Sequence, residues 1–381
     1  MNTTTVFIHL IAGARPNYMK IAPLYKALEA ESDLFSAQII HTGQHYDTNM
    51  YQAFFRDFDL PDPHVYLGIG SGSHAQQTAK IMMAYEEVCM QNRPDLTVVV
   101  GDVNSTLACA LVVKKLNIPL AHLEAGLRSG DREMPEEINR IVTDTLADIL
   151  WTPSRDADEN LRREGIPDGR IRCVGNVMID SLEMVRGTIE RREAYRTWHL
   201  EPGNYAVLTL HRPANVDDDR RLRRIIETII SLSEKIAIVF LAHPRTRKRL
   251  VGSGLDRDLE SSPGVYFAEP LSYIDFMSLV FASRMVITDS GGIQEETTYL
   301  NIPCLTLRPN TERPITVTQG TNELVEVDEL QDCVSAILKG DWKKATRPDF
   351  WDGKSSARIV SHLKEFTGSE TSVDRQNTVG E

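Results

Sequence analysis

The chain has 381 residues, 41% of them hydrophobic and 25% charged, with a formal net charge of −12. That length exceeds one ordinary core and predicts two domains, and the composition is that of a soluble globular protein. The acidic balance, without a long basic run, argues against a nucleic-acid surface, and no apolar run reaches the length needed to cross a membrane.

The first residues lack a basic segment followed by a cleavable apolar stretch, so a cytoplasmic enzyme is expected. Apolar strand-like runs alternate with longer amphipathic stretches throughout, the pattern of an α/β protein made of doubly wound, Rossmann-like domains. In the first half, strands are expected at 6–11, 37–42, 96–101, 120–123, 149–152 and 171–174. Helices are expected at 19–31, 48–58, 76–91, 105–116, 136–146 and 154–164. A hinge near 175–179 separates a domain of residues 1–177 from one of residues 178–354. The second half opens with a charged helix at 181–195 and continues with strands at 205–210, 237–241, 265–268, 285–288 and 304–307. Residues 355–367 read as a last amphipathic helix crossing back to the first domain. The polar, aromatic-free tail 368–381 reads as disordered. Cys89, Cys109, Cys173, Cys304 and Cys333 lack C-x-x-C spacing and lie in or near apolar stretches, so buried thiols are expected in place of disulfides or a metal site.

The residues that could carry chemistry fall at the carboxyl ends of the expected strands, where such sheets bind ligands. Arg15, Asp102, Glu124, His211, His243 and Ser290 all lie there, and two domains facing a cleft would bring them together. The strongest single feature is Val286-Ile-Thr-Asp-Ser-Gly-Gly-Ile-Gln-Glu-Glu296, a strand, a small-residue turn and a helix start. Gly291 and Gly292 let a ligand approach the backbone, and the free N–H groups of the helix start favour an anion such as phosphate. Glu295 or Glu296, a turn further on, could accept both hydroxyls of a ribose. The bland alternative is a tight connection from strand to helix.

Three acids come next. Asp102 and Glu124 end neighbouring strands, and Glu136 follows Pro135 at a helix start. Converging on one cleft, they could supply an acid and a base. Glu137 is better read as a charge complementing the helix dipole. His211 alone would pass for a polar loop residue, but His243 ends another strand of the same domain. Arg15 supplies positive charge; Lys20 either joins it or is a solvated helix residue. Phe276 could stack on a base or pack in the core. Gly70-Ser-Gly72-Ser-His-Ala75 follows a loop where a dinucleotide fingerprint would follow a first strand, and no Walker A, H-E-x-x-H or nucleophile-elbow motif occurs. No metal and no cofactor are expected.

Taken together, these landmarks resemble the non-hydrolysing UDP-N-acetylglucosamine 2-epimerases. The resemblance rests on Gly13-Ala-Arg15-Pro-x-x-x-Lys20, His41-Thr-Gly-Gln-His45, Gly101-Asp102-x-x-Ser-Thr, His122-Leu-Glu124-Ala-Gly-Leu-Arg128 and Pro135-Glu-Glu-x-Asn-Arg140. Leu210-His211-Arg212, Thr288-Asp-Ser-Gly-Gly-x-Gln-Glu-Glu296 and Thr311-Glu-Arg-Pro314 complete it. It implies a two-domain fold of the GT-B type, a UDP-sugar substrate, a homodimer, and inversion at C2 through elimination of UDP to a 2-acetamidoglucal. By this resemblance Asp102 and Glu136 handle the C2 proton, and Glu124 and His211 assist elimination. Arg15, Leu271, Phe276, Glu296 and Arg313 surround the nucleotide, with Lys20 nearby. Members activated by their own substrate carry arginines where this chain has Tyr46 and Pro213, so a second, regulatory UDP-GlcNAc is not expected. Relatives acting on UDP-2,3-diacetamido-2,3-dideoxyglucuronate share several of these motifs and give the nearest alternative. A hydrolysing epimerase or a GT-B glycosyltransferase stands further off.

Overall fold

The structure, a computed structural model, describes residues 5–43 and 55–365. They divide into two compact units, one running to Met184 and resuming at Asp349, the other Val185–Pro348. The first unit holds seven strands: β1 (Val6–Ala12), β2 (Phe35–His41), β3 (Val65–Tyr66), β4 (Leu96–Val100), β5 (Leu120–Leu123), β6 (Ile149–Thr152) and β7 (Ile171–Cys173). They form one parallel sheet in the order β3-β2-β1-β4-β5-β6-β7. The second holds β8 (Tyr205–Thr209), β9 (Ala237–Leu241), β10 (Val265–Ala268), β11 (Met285–Thr288), β12 (Cys304–Thr306) and β13 (Asn322–Leu324). These are also parallel, in the order β10-β9-β8-β11-β12-β13. This is the α/β architecture expected from the alternating pattern.

Helices on both faces explain why the central strands are apolar throughout. In β4, Leu-Thr-Val-Val-Val is buried at every position, as parallel sheets require. Leu208, Ile226, Phe240, Ile287 and Leu305 belong to the corresponding core of the second unit. Each sheet reverses its strand order once, between β1 and β4 and between β8 and β11, and such switch points open a crevice beyond the strand ends. At the first, Gly13 lies so close to the helix Asn104–Lys115 that a Cβ there would stand 2.1 Å from Ser105 Oγ. At the second lie His211 and the run Asp289–Gly292.

Helix starts explain most boundary differences. The first helix spans Arg15–Glu29, four residues earlier than expected, because Pro16 suits a first turn and the Asn17 side chain accepts the N–H groups of Gly13 and Ala14. Ser73 caps the helix His74–Gln91, accepting the Gln76 N–H at 3.3 Å. The helix expected at 48–58 falls mostly outside the described residues, though 55–57 are helical. The helix expected at 181–195 is Val177–Arg192, and it carries the chain from the first unit into the second. β3 and β13, strands of two and three residues at sheet edges, are absent from the sequence reading, whereas the equally short edge strand β7 was expected. Cys89, Cys109 and Cys304 are buried and Cys173 and Cys333 half-buried, all five as free thiols. Among the described residues no helix is long and apolar enough to cross a membrane.

The last helix, 355–365, packs on the first unit through buried Ile359 and Leu363. Trp151 Nε1–H donates to His362 Nδ1 at 3.2 Å, and Trp351 Nε1–H donates to the Pro153 carbonyl at 3.0 Å. The tail from 368 lies outside the described residues. Asp180, buried on the helix Val177–Arg192, accepts the N–H groups of Ser355 (3.0 Å) and Ser356 (2.7 Å) and so caps this helix with a negative charge. Asp180→Ala would leave two buried donors without an acceptor. It should cost the first unit about 1.5–3 kcal/mol in a urea titration, the scale of charge-assisted hydrogen bonds, where a surface carboxylate would cost a few tenths.

Candidate active site

In the first unit two residues with left-handed backbone close β4 and β5: Gly101 (φ +67°) and Glu124 (φ +73°). A left-handed glutamate is strained, and here the strain is held because the N–H groups of Glu124 and Ala125 both donate to the Trp151 carbonyl, at 3.1 and 3.0 Å. The turn buries the Glu124 carboxylate against the Lys20 ammonium, which reaches it from the helix Arg15–Glu29. Both Glu124 Oε2 and Lys20 Nζ would lie 3.2 Å from a Cβ at Gly101. Lys20 is therefore not a solvated helix residue. Arg15 sits at the start of that helix.

Asp102 follows Gly101 and pairs with the Arg140 guanidinium on the helix Pro135–Leu146. Arg140 also holds Glu137 at 2.8 Å, and Glu137 accepts the N–H groups of Ser129 (3.1 Å) and Gly130 (2.9 Å). That corrects the dipole reading of Glu137: it is buried and ties the loop after β5 to the helix. Glu136, half-exposed, stands four residues before Arg140 and so on the same helical face. The acids do not confront one another unshielded, since Asp102 and Glu124 each carry a cation of their own.

Beneath them lies a polar scaffold that the sequence reading passed over. His122, fully buried in β5, places Nε2 2.8 Å from the Gly101 carbonyl and Nδ1 2.6 Å from Asp144. Asp144 also accepts the Gly126 N–H at 3.1 Å and lies 2.8 Å from Arg128. Burial alone would raise the Asp144 carboxyl, but the His122 ring and Arg128 outweigh it and hold it below its ordinary value. A histidine inside an apolar strand was the available signal, because a buried ring must find partners for both nitrogens.

The candidate anion site of the second unit lies where β11 meets the helix Gly291–Leu300. Ser290 occupies the N-cap position without any side-chain cap hydrogen bond, which leaves the first N–H groups for an outside acceptor. A Cβ on Gly291 would meet Arg313 Nη1 and Glu312 Oε1 at 2.7 Å, whereas at Gly292 it would meet open space. Around the turn, Arg313 lies 2.9 Å from Glu295 and 2.6 Å from Glu312, and Glu312 also takes Arg308 at 2.7 Å and Arg212 at 3.8 Å. Three guanidinium groups against two carboxylates leave this cluster positive. Burial opposes ionisation of Glu312, but Arg313 and Arg308 drive its carboxyl far below the ordinary range.

The two candidate ribose acceptors are now separable. Glu295 is committed to Arg313, while Glu296 accepts the Tyr273 hydroxyl at 2.8 Å from the helix Tyr273–Ala282. Burial pushes the Glu296 carboxyl up to about 8, with the Tyr273 hydrogen bond working against the shift and Glu295 adding to it. Leu271 and Phe276 are half-buried around the start of the Tyr273 helix, and Phe276 is thus not a core residue. His211, just beyond β8, sets Nδ1 2.8 Å from the fully buried Asp289, with its ring 6.3 Å from that of His243. Pro213 opens the short helix Pro213–Val216, and Tyr46 lies outside the described residues.

The chain is similar to known proteins along most of its length. The family model described as UDP-N-acetylglucosamine 2-epimerase matches residues 26–364. A UDP-N-acetylglucosamine 2-epimerase of Methanocaldococcus jannaschii is 43% identical over 365 residues, covering 93% of this chain and 98% of the relative. The crystal structure of the M. jannaschii UDP-GlcNAc 2-epimerase in complex with UDP-GlcNAc and UDP is similar with a TM-score of 0.85 at 42% identity, covering 94% of this chain and 100% of that one. A UDP-2,3-diacetamido-2,3-dideoxy-D-glucuronate 2-epimerase of Pseudomonas aeruginosa is 38% identical, covering 93% of this chain and 99% of the relative.

The Glu296 carboxyl gives a test that needs no ligand. Between its ordinary value of 4.5 and about 8 the folded protein keeps a proton that the unfolded chain has lost, so stability falls as pH rises through that window. Glu296→Gln cannot ionise and should flatten that part of the fall in melting temperature between pH 4.5 and 8, measured in the same buffers as the parent chain. Parallel curves for the two proteins would show that Glu296 is ionised in the fold.

Proposed function

Because the chain belongs to the UDP-N-acetylglucosamine 2-epimerase family, we propose that it inverts C2 of UDP-GlcNAc to give UDP-ManNAc without hydrolysis. The observation that carries this reading is the combination, in one chain, of an uncapped, positively surrounded helix start at Gly291 with acids at the ends of β4 and β5. The chemistry calls for both. The C2 hydrogen of the sugar is not acidic, so it leaves only after the C1–O bond to UDP breaks and positive charge develops at C1. Loss of the proton then gives a 2-acetamidoglucal, to which UDP re-adds with protonation from the opposite face.

In this mechanism the helix start at Ser290, Gly291 and Gly292, together with Arg15 and Arg313, stabilises the departing diphosphate. Glu296 takes the ribose hydroxyls, and Leu271 and Phe276 flank the nucleotide. Asp102 and Glu136 exchange the C2 proton, one on each face, while Glu124 and His211 assist elimination, with Lys20 and His243 beside them. Arg140 and Lys20 are suited to keep Asp102 and Glu124 as oriented carboxylates. The enzyme is proposed to work in the cytoplasm as a homodimer. The P. aeruginosa relative favours one second reading, in which the substrate is UDP-2,3-diacetamido-2,3-dideoxyglucuronate.

Incubation with UDP-GlcNAc in deuterated water separates these readings. Deuterium at C2 of intact UDP-GlcNAc and UDP-ManNAc is the expected outcome. Free ManNAc would mark a hydrolase, and exchange confined to the diacetamido-glucuronate substrate would move the assignment to the second reading. Asp102→Asn and Glu136→Gln should each slow exchange by about 100-fold or more with substrate binding retained, the usual scale for general acid–base groups. Near-normal exchange by either variant would remove that residue from the proton transfer.

The anion site has its own test. Gly292→Ala meets nothing in the protein, so its melting temperature should stay close to that of the parent chain while UDP affinity falls about tenfold or more, roughly 1.4 kcal/mol. Unchanged UDP affinity by calorimetric titration would place the diphosphate elsewhere.

A further inference from the structure

The His211 side chain and the Asp289 carboxylate form a pair whose geometry goes beyond charge balance. Asp289 is fully buried at the end of β11 and lies 2.8 Å from His211 Nδ1. The same carboxylate accepts the backbone N–H of His211 at 3.0 Å, the backbone N–H of Arg212 at 2.9 Å and Asn215 Nδ2–H at 3.1 Å. A carboxylate so surrounded by donors is an acceptor only, and burial, which would raise it, is outweighed by the His211 ring, the Arg212 N–H and Asn215. Two lone pairs cannot face each other at 2.8 Å, so the proton on this side belongs to Nδ1 of the ring. Nε2 is left as the nitrogen whose protonation can change.

His243 is set the other way round. Its Nδ1 accepts the Arg245 N–H at 3.3 Å as the cap of the helix Pro244–Ser253, so Nδ1 carries the lone pair and Nε2 the proton. Burial lowers its pKa, and neighbouring His211 and Arg245 add to that, which favours the neutral ring. Two histidines with rings 6.3 Å apart thus hold a proton on opposite nitrogens, His211 on Nδ1 and His243 on Nε2.

We propose that Asp289 is the positioning residue of His211, holding its proton on Nδ1 so that Nε2 meets the substrate, with the His243 Nε2–H as the matching donor. The part played by Nε2 rests on the epimerase reading above, whereas the tautomers do not. With Asp289 holding Nδ1–H, the doubly protonated ring can give its Nε2 proton to the β-phosphate oxygen as that oxygen leaves C1 with the bonding pair, and the neutral ring takes the proton back at Nε2 when the oxygen re-forms the bond. The same nitrogen serves both directions, and no proton is lost to water between them.

The test is side-chain nitrogen NMR on the uniformly 15N-labelled chain near neutral pH, with His211→Asn and His243→Asn supplying the assignments. Protonated Nδ1 in His211 and protonated Nε2 with bare Nδ1 in His243 are expected, and Asp289→Asn should erase the His211 pattern. That variant should lose about 100-fold or more in kcat, the scale of a general acid–base group left wrongly protonated, with little change in KM. In a His211→Asn background, Asp289→Asn should cost nothing more, because residues acting as one unit are not additive. Bare Nδ1 in the parent His211, or an equal loss of rate in both backgrounds, would overturn the proposal. Should Asp289→Asn fail to fold, the parent spectrum still decides the tautomer. Expected tautomers in a chain that puts no deuterium at C2 would sink the epimerase reading and leave the histidine assignment standing.

Discussion

The helix start at Gly291 has no side-chain cap, so its first N–H groups are open to an outside acceptor, and much of the second unit's strand-end chemistry is gathered around it. At Gly291 the helix begins directly under Arg313 and Glu312, so close that a Cβ would push their charged ends aside. Arg308 and Arg313 are buried and would be costly alone, and Glu295 and Glu312 compensate them. The carboxylates keep the guanidinium groups in place, and half-exposed Arg212, 3.8 Å from Glu312, adds positive charge at the end where the helix dipole is positive. A dianionic leaving group fits such a place better than a neutral sugar does, because a leaving group gains charge as its bond breaks.

The first unit solves a different problem. Acids that move a proton must be oriented, and a carboxylate on a free strand end would not be. Lys20 and Arg140 fix two of them by charge, while the left-handed turn at Glu124 spends backbone strain to place one carboxylate. His122 and Asp144 link the carbonyl of Gly101 to the N–H of Gly126, so the turns after β4 and β5 are coupled through a single buried ring. A change in that ring would move both acids together.

Much of this was legible in the sequence because parallel strands are apolar along their whole length and end at glycine or acid. β5, β6, β9, β10 and β11 begin and end where the apolar runs do. The short edge strands β3 and β13 were not legible, since they are held by a neighbour's register and carry no pattern of their own. At the site, strand-end position identified Asp102, Glu124, His211 and the Ser290–Gly292 run as candidates. What sequence could not resolve was which of two adjacent acids turns inward. Glu137 is buried and Glu136 half-exposed, and Glu295 is spent on an arginine while Glu296 faces a tyrosine. Those choices depend on partners 3 to 23 residues away along the chain, among them Tyr273, Arg313 and Arg140. Asp289 was overlooked for a similar reason: its partner lies just beyond the end of another strand, 78 residues earlier.

The proposed mechanism requires that UDP leave the sugar and return to the same carbon. Positional isotope exchange tests this directly, using UDP-GlcNAc with 18O in the bond between C1 and the β-phosphorus. Once UDP is free, rotation of its terminal phosphate makes that oxygen equivalent to its neighbours. Phosphorus NMR of the recovered UDP-sugars should therefore show the label moving into non-bridging positions on the time scale of C2 inversion. Inversion with the label still wholly in the bridge would mean that the C1–O bond never broke.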